Sequence, residues 1–341
     1  MRVETKRRGR LNQADIAGRL GVSVSTVSRA LANDAGISAA VRQDIQTLAR
    51  TLGYKGKRAL DRSTGWRATV FVGIGSATSG LSGFYLDIVE GMRSAAADSV
   101  MALDIKLVNE SSVSFDVIRR HAEQSETNGL LLAGIDASDD FAAWCLSAEM
   151  PVVMVNGSDP QMRLSSVSPA NYYGAFQATT RLLDAGHKKL LHFTHKSRPT
   201  ILQRRRGFEA AVAARPGAKG TVINSDEMRT AEFARRLAAG EFEATALFAW
   251  NDVVAVELLD AIGASGKLPR QFSLVGFDDL PIAAYATPRL STMHVDRAAI
   301  AAGAIRLLTQ QLAGDRTQQH LEIGVKPVEG GTIHRLSGRG G

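Results

Sequence analysis

The sequence predicts a small all-α head followed by a larger α/β body. Three observations carry that prediction. The chain has 341 residues, too many for one small core. Residues 1–62 hold 13 Lys and Arg against 5 Asp and Glu, and the rest hold 28 against 29, so the net charge of +7 is concentrated in a short basic segment. That distribution is the footprint of a nucleic-acid contact. Beyond it, continuous apolar runs alternate with helical periodicity, the pattern of parallel strands covered by helices on both faces.

The head comes first. Leu11, Ala14, Ile16, Ala17 and Leu20 fall on one face of a short helix, with Asn12 as its N-cap and Asp15 near its positive end. Gly21 ends it by supplying a left-handed residue, and Val22 plugs the turn. Ser23 caps a second helix in which Thr26, Val27, Ala30 and Leu31 build the core, while Val24, Ser25, Ser28 and Arg29 face outward. A third helix starts at a Ser38 cap, buries Val41, Ile45, Leu48, Ala49 and Leu52, and stops at Gly53. Two helices around a tight glycine turn, backed by a third, make a helix-turn-helix whose second helix enters the DNA major groove.

These residues also carry a resemblance. Asp15-Ile16-Ala17, Gly21-Val22-Ser23, Ser25 to Leu31, Asn33 and Leu52-Gly53-Tyr54 resemble, in order and with matching gaps, the headpiece of the lactose-repressor (LacI) family. The resemblance implies that Val24, Ser25 and Arg29 reach base edges. Arg29 would give a guanine two hydrogen bonds, worth ~1–3 kcal/mol of discrimination, and Val24 would meet a thymine methyl. It implies that Ser23, Ser28, Asn33 and Arg42 hold phosphates, which position the head without reading sequence. For Ser23 and Ser28, capping or packing is an equal alternative.

Residues 55–67 form the join. The family places a short hinge helix here, with a leucine wedged into the minor groove. This chain reads Tyr54-Lys55-Gly56-Lys57-Arg58-Ala59-Leu60-Asp61-Arg62-Ser63, with Gly56 and Lys57 in place of Pro and Asn and Ser63 where the leucine falls. Two readings stay open: a segment whose Lys57 and Arg58 follow the phosphate backbone, or a flexible linker.

In the body, strands are expected at 68–73, 104–108, 129–133, 151–155, 189–193, 220–223, 246–250 and 272–277. Helices are expected at 86–97, 115–124, 141–148, 173–185, 204–214, 230–238 and 252–263. Ligands in such folds bind beyond the carboxyl ends of the strands. No phosphate loop, dinucleotide turn, nucleophile elbow or paired-histidine motif is present; Gly73-Ile74-Gly75 lacks the third glycine. An enzyme, a cofactor and a metal site are therefore not expected. His187 reads as a cap or turn residue, and His192 and His195 straddle a strand end with no chelating partner. Cys145, the single cysteine, reads as a buried structural thiol, which together with the lack of a secretion signal fits a cytoplasmic protein. No run reaches the ~20 apolar residues of a membrane helix.

The body is similar to the same family at Phe84-Tyr85, Asn128 to Leu132, Pro151-Val152-Val153, Leu182 to His187, Arg204 to Phe208, Phe248 to Asp252, Leu274 to Asp279 and Pro288 to Thr292. That implies a periplasmic-binding-protein-like fold of two Rossmann-like lobes joined by three crossovers. The divisions are then a head at 1–54, a join at 55–67 and an effector and dimerisation domain at 68–336. Its first lobe takes 68–186 and 296–323, and its second 187–293 and 324–336. A small effector, a mono- or disaccharide, would sit between the lobes and change their angle, which in a homodimer sets operator affinity. The dimer contact would involve residues 71–81 and 86–97.

For the pocket, sugar hydroxyls need Asp, Asn and Arg partners, and ring faces need aromatic walls. Arg204 matches the family's effector arginine. Asn251 and Asp278 lie just past strand ends, with Asp252 and Asp279 as caps or supports. Trp250, Phe84, Tyr85 and Tyr173 supply walls, with lobe core as the alternative for Phe84 and Tyr85. Ala170-Asn171 replaces the family's Asp-Asn pair, implying a less polar or differently turned ligand face. The expected function is a sequence-specific DNA-binding regulator, a repressor controlled by a small effector. A sugar-binding transport protein is the alternative, and the basic head argues against it.

Overall fold

A computed structural model describes residues 13–31, 36–51, 65–75, 83–109, 113–195, 198–264 and 272–336. The chain divides into two compact units, 1–66 and 67–341. Of the expected join, residues 55–64, including Lys57, Arg58, Leu60 and Ser63, lie outside the described residues, as do Leu11, Asn12, Asn33 and Leu52, while Trp66 and Arg67 already belong to the first strand of the body.

The head has three helices, α1 (Gln13–Leu20), α2 (Val24–Leu31) and α3 (Ala39–Thr51). Ile16, Ala17, Val27, Ala30, Ile45 and Ala49 form its core, flanked by half-buried Leu20, Val22, Ile37, Val41 and Leu48. Gly21 has φ +64°, the left-handed region that a side chain resists, and Val22 N donates back to the Ala17 carbonyl at 3.1 Å. Ser23 Oγ accepts from Thr26 N at 3.0 Å, closing the cap of α2. Ala14, expected in the core, is exposed. The buried stripe of α1 runs through Ile16, Ala17 and Leu20, and two residues before Ile16 a helix has turned away from it.

The body's first sheet has the strand order β11-β5-β4-β3-β1-β2, formed by β1 (Trp66–Ile74), β2 (Met101–Asn109), β3 (Gly129–Ala133), β4 (Val152–Val155), β5 (Ser165–Pro169) and β11 (His320–Ile323). β1 pairs parallel with β3 in the register Val70 with Leu131, and β3, β4, β5 and β11 continue parallel. One face packs on α5 (Phe115–Gln124) and α6 (Asp139–Ser147) through Phe71, Ile118, Leu132, Phe141 and Met154. Cys145 is buried in that layer, and burial pushes its thiol up to about 12. The other face is covered by α4 (Gly83–Asp98) and α12 (Arg297–Leu312). These two helices come so close that a Cβ on Gly91 would sit 2.8 Å from Ala301 Cβ.

The second sheet, order β7-β6-β8-β9, is parallel throughout. It consists of β6 (Lys189–Thr194), β7 (Lys219–Asn224), β8 (Ala246–Ala249) and β9 (Ser273–Val275). On one face, α9 (Thr230–Ala238) and α10 (Asp252–Ala264) close a core around Phe193, Phe233, Leu247, Leu258 and Leu274. On the other lie α8 (Pro199–Ala213) and α7 (Asn171–Asp184). The chain crosses between lobes after β5, around β10 (Thr292–Val295) and α12, and again before β12 (Val325–Val328), which pairs antiparallel with β10. A short helix, α11 (Pro281–Tyr285), precedes β10.

Two expectations change. The first crossover falls at Ala170, not after Gly186, because α7 packs on α8: a Cβ on Gly207 would lie 2.1 Å from the Tyr172 carbonyl. α4 and α8 begin before positions 86 and 204, since apolar periodicity does not mark a first turn and Pro199 tolerates one. His187 keeps its cap reading, its amide donating to the Leu182 carbonyl at 3.2 Å just past Gly186 at φ +95°, while its side chain is 1 % exposed and joins Thr245 Oγ1 at 2.9 Å and Ser273 Oγ at 2.7 Å.

Candidate functional site

Two regions bring functional side chains together. The first is the outer face of α2. Val27 and Ala30 are fully buried, and this fixes the rotation of the helix. It leaves Ser23, Val24, Ser25, Ser28 and Arg29 exposed, Val24 at 47 %. An exposed valine beside small hydroxyls and an arginine suits a groove of base edges. Ser23 Oγ is committed to Thr26 N and lies 2.7 Å from Ser25 Oγ, so capping, one of its two readings, is realised. Thr26, expected in the core, is half-buried within that cap. Arg42, half-buried, donates from Nη2 to the Ile37 carbonyl at 2.8 Å and braces the start of α3.

The second region lies at the carboxyl ends of the two sheets. Arg204 is 3 % exposed. Its Nε donates to Asn171 Oδ1 at 2.8 Å, its Nη1 to the Trp250 carbonyl and its Nη2 to Asp278 Oδ1 at 3.1 Å. The guanidinium also lies 3.7 Å over the Phe277 ring. Burial pushes the Asp278 carboxyl up, against the opposing pull of Arg204. Asp278 holds φ +111°, a conformation that L residues rarely adopt, and is pinned from both sides. Its amide donates to the Met293 carbonyl at 2.9 Å, and its carbonyl accepts from Arg297 Nη1 at 2.6 Å.

Asp252 supports this group from below, as its expected role requires. It accepts from Thr292 Oγ1 at 2.5 Å and Leu280 N at 2.8 Å. Burial first, then the neighbouring Asp278, pushes its carboxyl up to about 8. A Cβ on Gly276 would lie 2.3 Å from Asp252 Oδ1, so no other residue fits there. Asn251 Oδ1 caps α10 through Val254 N at 2.9 Å, leaving its amide nitrogen as the atom able to meet a ligand. Trp250 forms a wall with His195, edge-on at 5.2 Å; burial drives His195 down to about 4.

The first lobe contributes Tyr85, Asp136 and Asn156. Asn156 Nδ2 donates to Tyr85 Oη at 2.9 Å, and Arg198, from the second lobe, meets all three residues. Phe84 is 6 % exposed and edge-on to Tyr85, so its place is lobe core, not a pocket wall. Tyr173 is 59 % exposed and packs on Tyr172 at the surface of α7, outside the buried set. Of the expected pocket residues, Arg204, Trp250, Asn251, Asp278 and Tyr85 fall at this cleft. Asp136, Asn156, Arg198 and Arg297 were not anticipated here, whereas Asn171, expected beside Ala170 at the ligand face, is the acceptor of Arg204 Nε. The position of Asp136 and Asn156 just past parallel strands was a signal available in the sequence.

Among the described residues no group of three His, Cys, Asp or Glu could hold a metal ion, and no helix is long and apolar enough to cross a membrane.

A helix-turn-helix with an open reading face, in a chain whose body is a two-lobed α/β fold with a polar cleft, defines a DNA-binding transcriptional regulator of the ligand-responsive class. Residues 13–56 match the family model of bacterial regulatory proteins of the lacI family, and residues 179–333 match that of the periplasmic binding protein-like domain. The regulator GalS of Salmonella typhimurium is 29 % identical over 325 residues, covering 90 % of this chain and 92 % of that protein. The repressor CytR of Escherichia coli is 26 % identical, covering 95 % of each. Among solved structures, a complex of the regulator CelR with cellobiose superposes with a TM-score of 0.69 at 21 % identity, covering 95 % of this chain and 100 % of that one. A lac repressor dimer bound to operator and an anti-inducer gives 0.67 at 20 %, covering 95 % and 99 %. The chain belongs to the LacI family of transcriptional regulators.

Proposed function

We propose that this regulator is a cytoplasmic repressor and not an enzyme. It binds operator DNA as a homodimer through the outer face of α2, and its affinity is set by a small hydroxyl-rich effector in the cleft, a mono- or disaccharide. The single observation that carries the reading is the division of α2 into a packed face, Val27 and Ala30, and an exposed face, Val24, Ser25, Ser28 and Arg29. Val24, Ser25 and Arg29 read bases; Ser28, Asn33, Lys57 and Arg58 follow phosphates. In the cleft, Asp278, Asn251 and Tyr85 meet hydroxyls, Trp250 meets an apolar ring face, and Arg204 holds Asp278 in place.

The relatives favour this reading. GalS is named a transcriptional regulator and CytR a transcriptional repressor, and the CelR structure holds a disaccharide. A binding titration against duplex DNA at increasing salt tests it. A repressor loses affinity steeply because each phosphate contact releases counterions. Absence of DNA binding at low salt removes the proposal. A thermal-shift screen against a sugar library then tests the effector class.

A further inference from the structure

The Arg198 side chain crosses from the second lobe to the first. The residue directly precedes α8, which packs on the second sheet. All three acceptors belong to the first lobe: Nε donates to Asp136 Oδ2 at 2.9 Å, Nη1 to Tyr85 Oη at 3.1 Å and Nη2 to the Asn156 carbonyl at 2.7 Å. Asp136 follows β3 and Asn156 follows β4, so the guanidinium sits on the carboxyl edge of the first sheet, where the cleft lies. The Arg198 and Asp136 side chains are 11 % and 23 % exposed. Gly134 makes room for the arrangement, since a Cβ there would lie 2.5 Å from Tyr85 Oη.

A second pair in the same lobe shows what a permanent brace looks like. Asp159 accepts from Arg163 Nε at 3.1 Å and Nη2 at 3.0 Å, and from the amides of Gln161 and Arg163, so both its oxygens are saturated. Both partners stand in one loop. The Arg198–Asp136 pair differs on each count. It joins two lobes, it uses one carboxylate oxygen, and both Asp136 Oδ1 and Asn156 Oδ1 are buried without a hydrogen-bond partner among the described residues. Buried acceptors lacking a donor are unfavourable, so this contact is poised to be exchanged rather than kept. Arg297, which also spans the lobes, sits at the crossover beside β10, where opening moves atoms least.

We propose that Arg198 is an interlobe latch that closes the cleft of the unliganded protein by occupying Tyr85, Asp136 and Asn156. It is a positioning residue, holding one lobe against the other. Its consequence for effector binding, competition for the same acceptors, rests on the cleft reading above. The latch itself does not, and it is tested with no ligand present.

The test uses the full chain with spin labels on exposed positions of α5 and α9, Gln124→Cys and Ala231→Cys, and reads the interlobe distance by pulsed electron resonance. Arg198→Gln and Asp136→Asn should each shift the distribution to longer separations. The double variant should shift no further than the larger single one, because both remove the same interaction. Arg198→Lys keeps the charge without the planar fork and should fall between. Tyr85→Phe removes the acceptor that Arg198 Nη1 shares with Asn156 Nδ2, leaves both charges in place and should shift in the same direction by less, which keeps the test valid if a charge variant fails to fold. Distributions for Arg198→Gln or Tyr85→Phe that superimpose on the parent overturn the latch. Unchanged sugar affinity in a variant whose distribution has lengthened would instead overturn the competition for effector alone and leave the latch standing.

Discussion

Arg204 Nη2 donates to Asp278 Oδ1 at 3.1 Å, with the two side chains 3 % and 10 % exposed. The pair joins α8 to the strained turn after Phe277, so one carboxylate both faces the cleft and neutralises a buried guanidinium. Removing it would leave the positive charge uncompensated in a dry site, the costly way to break a buried pair.

Asp278→Ala is therefore expected to destabilise the body by ~3–5 kcal/mol as well as remove effector response. Asp278→Asn keeps an acceptor for Arg204 and should cost less. Urea unfolding of both variants, with DNA binding measured well below the transition, separates stability from response. Equal stability of Asp278→Ala and the parent would mean that Arg204 does not depend on this partner.

Arg29 stands on the exposed face of α2. Arg29→Ala should relax operator choice by ~1–3 kcal/mol at one base pair and leave effector affinity unchanged. Competition binding with single-base operator variants measures the first, calorimetry the second. If effector affinity fell with operator choice, the division of labour between head and body would be wrong.

The Asp252 carboxyl is raised to about 8 by burial and by nearby Asp278. In the unfolded chain it has lost its proton above about pH 5. From there to about 8 the folded chain holds one more proton, so this contribution to stability is lost as pH rises. Burial lowers His121, His187, His192 and His195; their unfolded forms still hold part of a proton each near pH 7, so they add an opposing, rising slope that fades by about pH 8, and the comparison with a variant isolates the Asp252 contribution. Near pH 7 to 8, Asp252 should contribute a fall of up to ~1.4 kcal/mol per unit. Asp252→Asn, with its carbonyl on Leu280 N and its amide on Thr292 Oγ1, should remove that contribution. An unchanged slope in urea melts across this range would show that Asp252 is ionised in the folded protein.

Gly207 allows α8 to touch α7, where a Cβ would lie 2.1 Å from the Tyr172 carbonyl and 2.9 Å from Phe176 N. Backbone cannot yield as a side chain does. Gly207→Ala should cost ~1–3 kcal/mol or more by overpacking, read as a lower thermal midpoint of the body with the head unaffected.

Ser23→Ala removes the acceptor for Thr26 N and should destabilise the head by ~1 kcal/mol. Circular dichroism of the head's melting transition measures it. Because the same change would also lower DNA affinity if Ser23 touched phosphate, the salt slope of binding decides whether a contact was lost as well.

The sequence by itself determined the head: Gly21, the Ser23 cap and the apolar set Ile16, Ala17, Val27, Ala30 and Ile45 are local patterns within a few turns of helix. The same locality made the alternating strands and helices of the body legible, and with them the strand ends carrying Trp250, Asn251 and Asp278. Helix α12 is absent from the expected helices, although its buried Ile300, Ala304, Leu307, Leu308 and Gln311 recur at helical spacing; what that face covers, α4 and the first sheet, is decided only by packing. Tertiary structure alone decided that α7 belongs to the second lobe and that Phe84 is core and Tyr173 surface. It alone brought Arg198 to Asp136, 62 positions away, and Arg204 to Asp278, 74 away. An ion pair leaves no local period in a sequence. Its partners are chosen by which strand ends the sheet order places side by side, and that order is set by packing between elements, not within them.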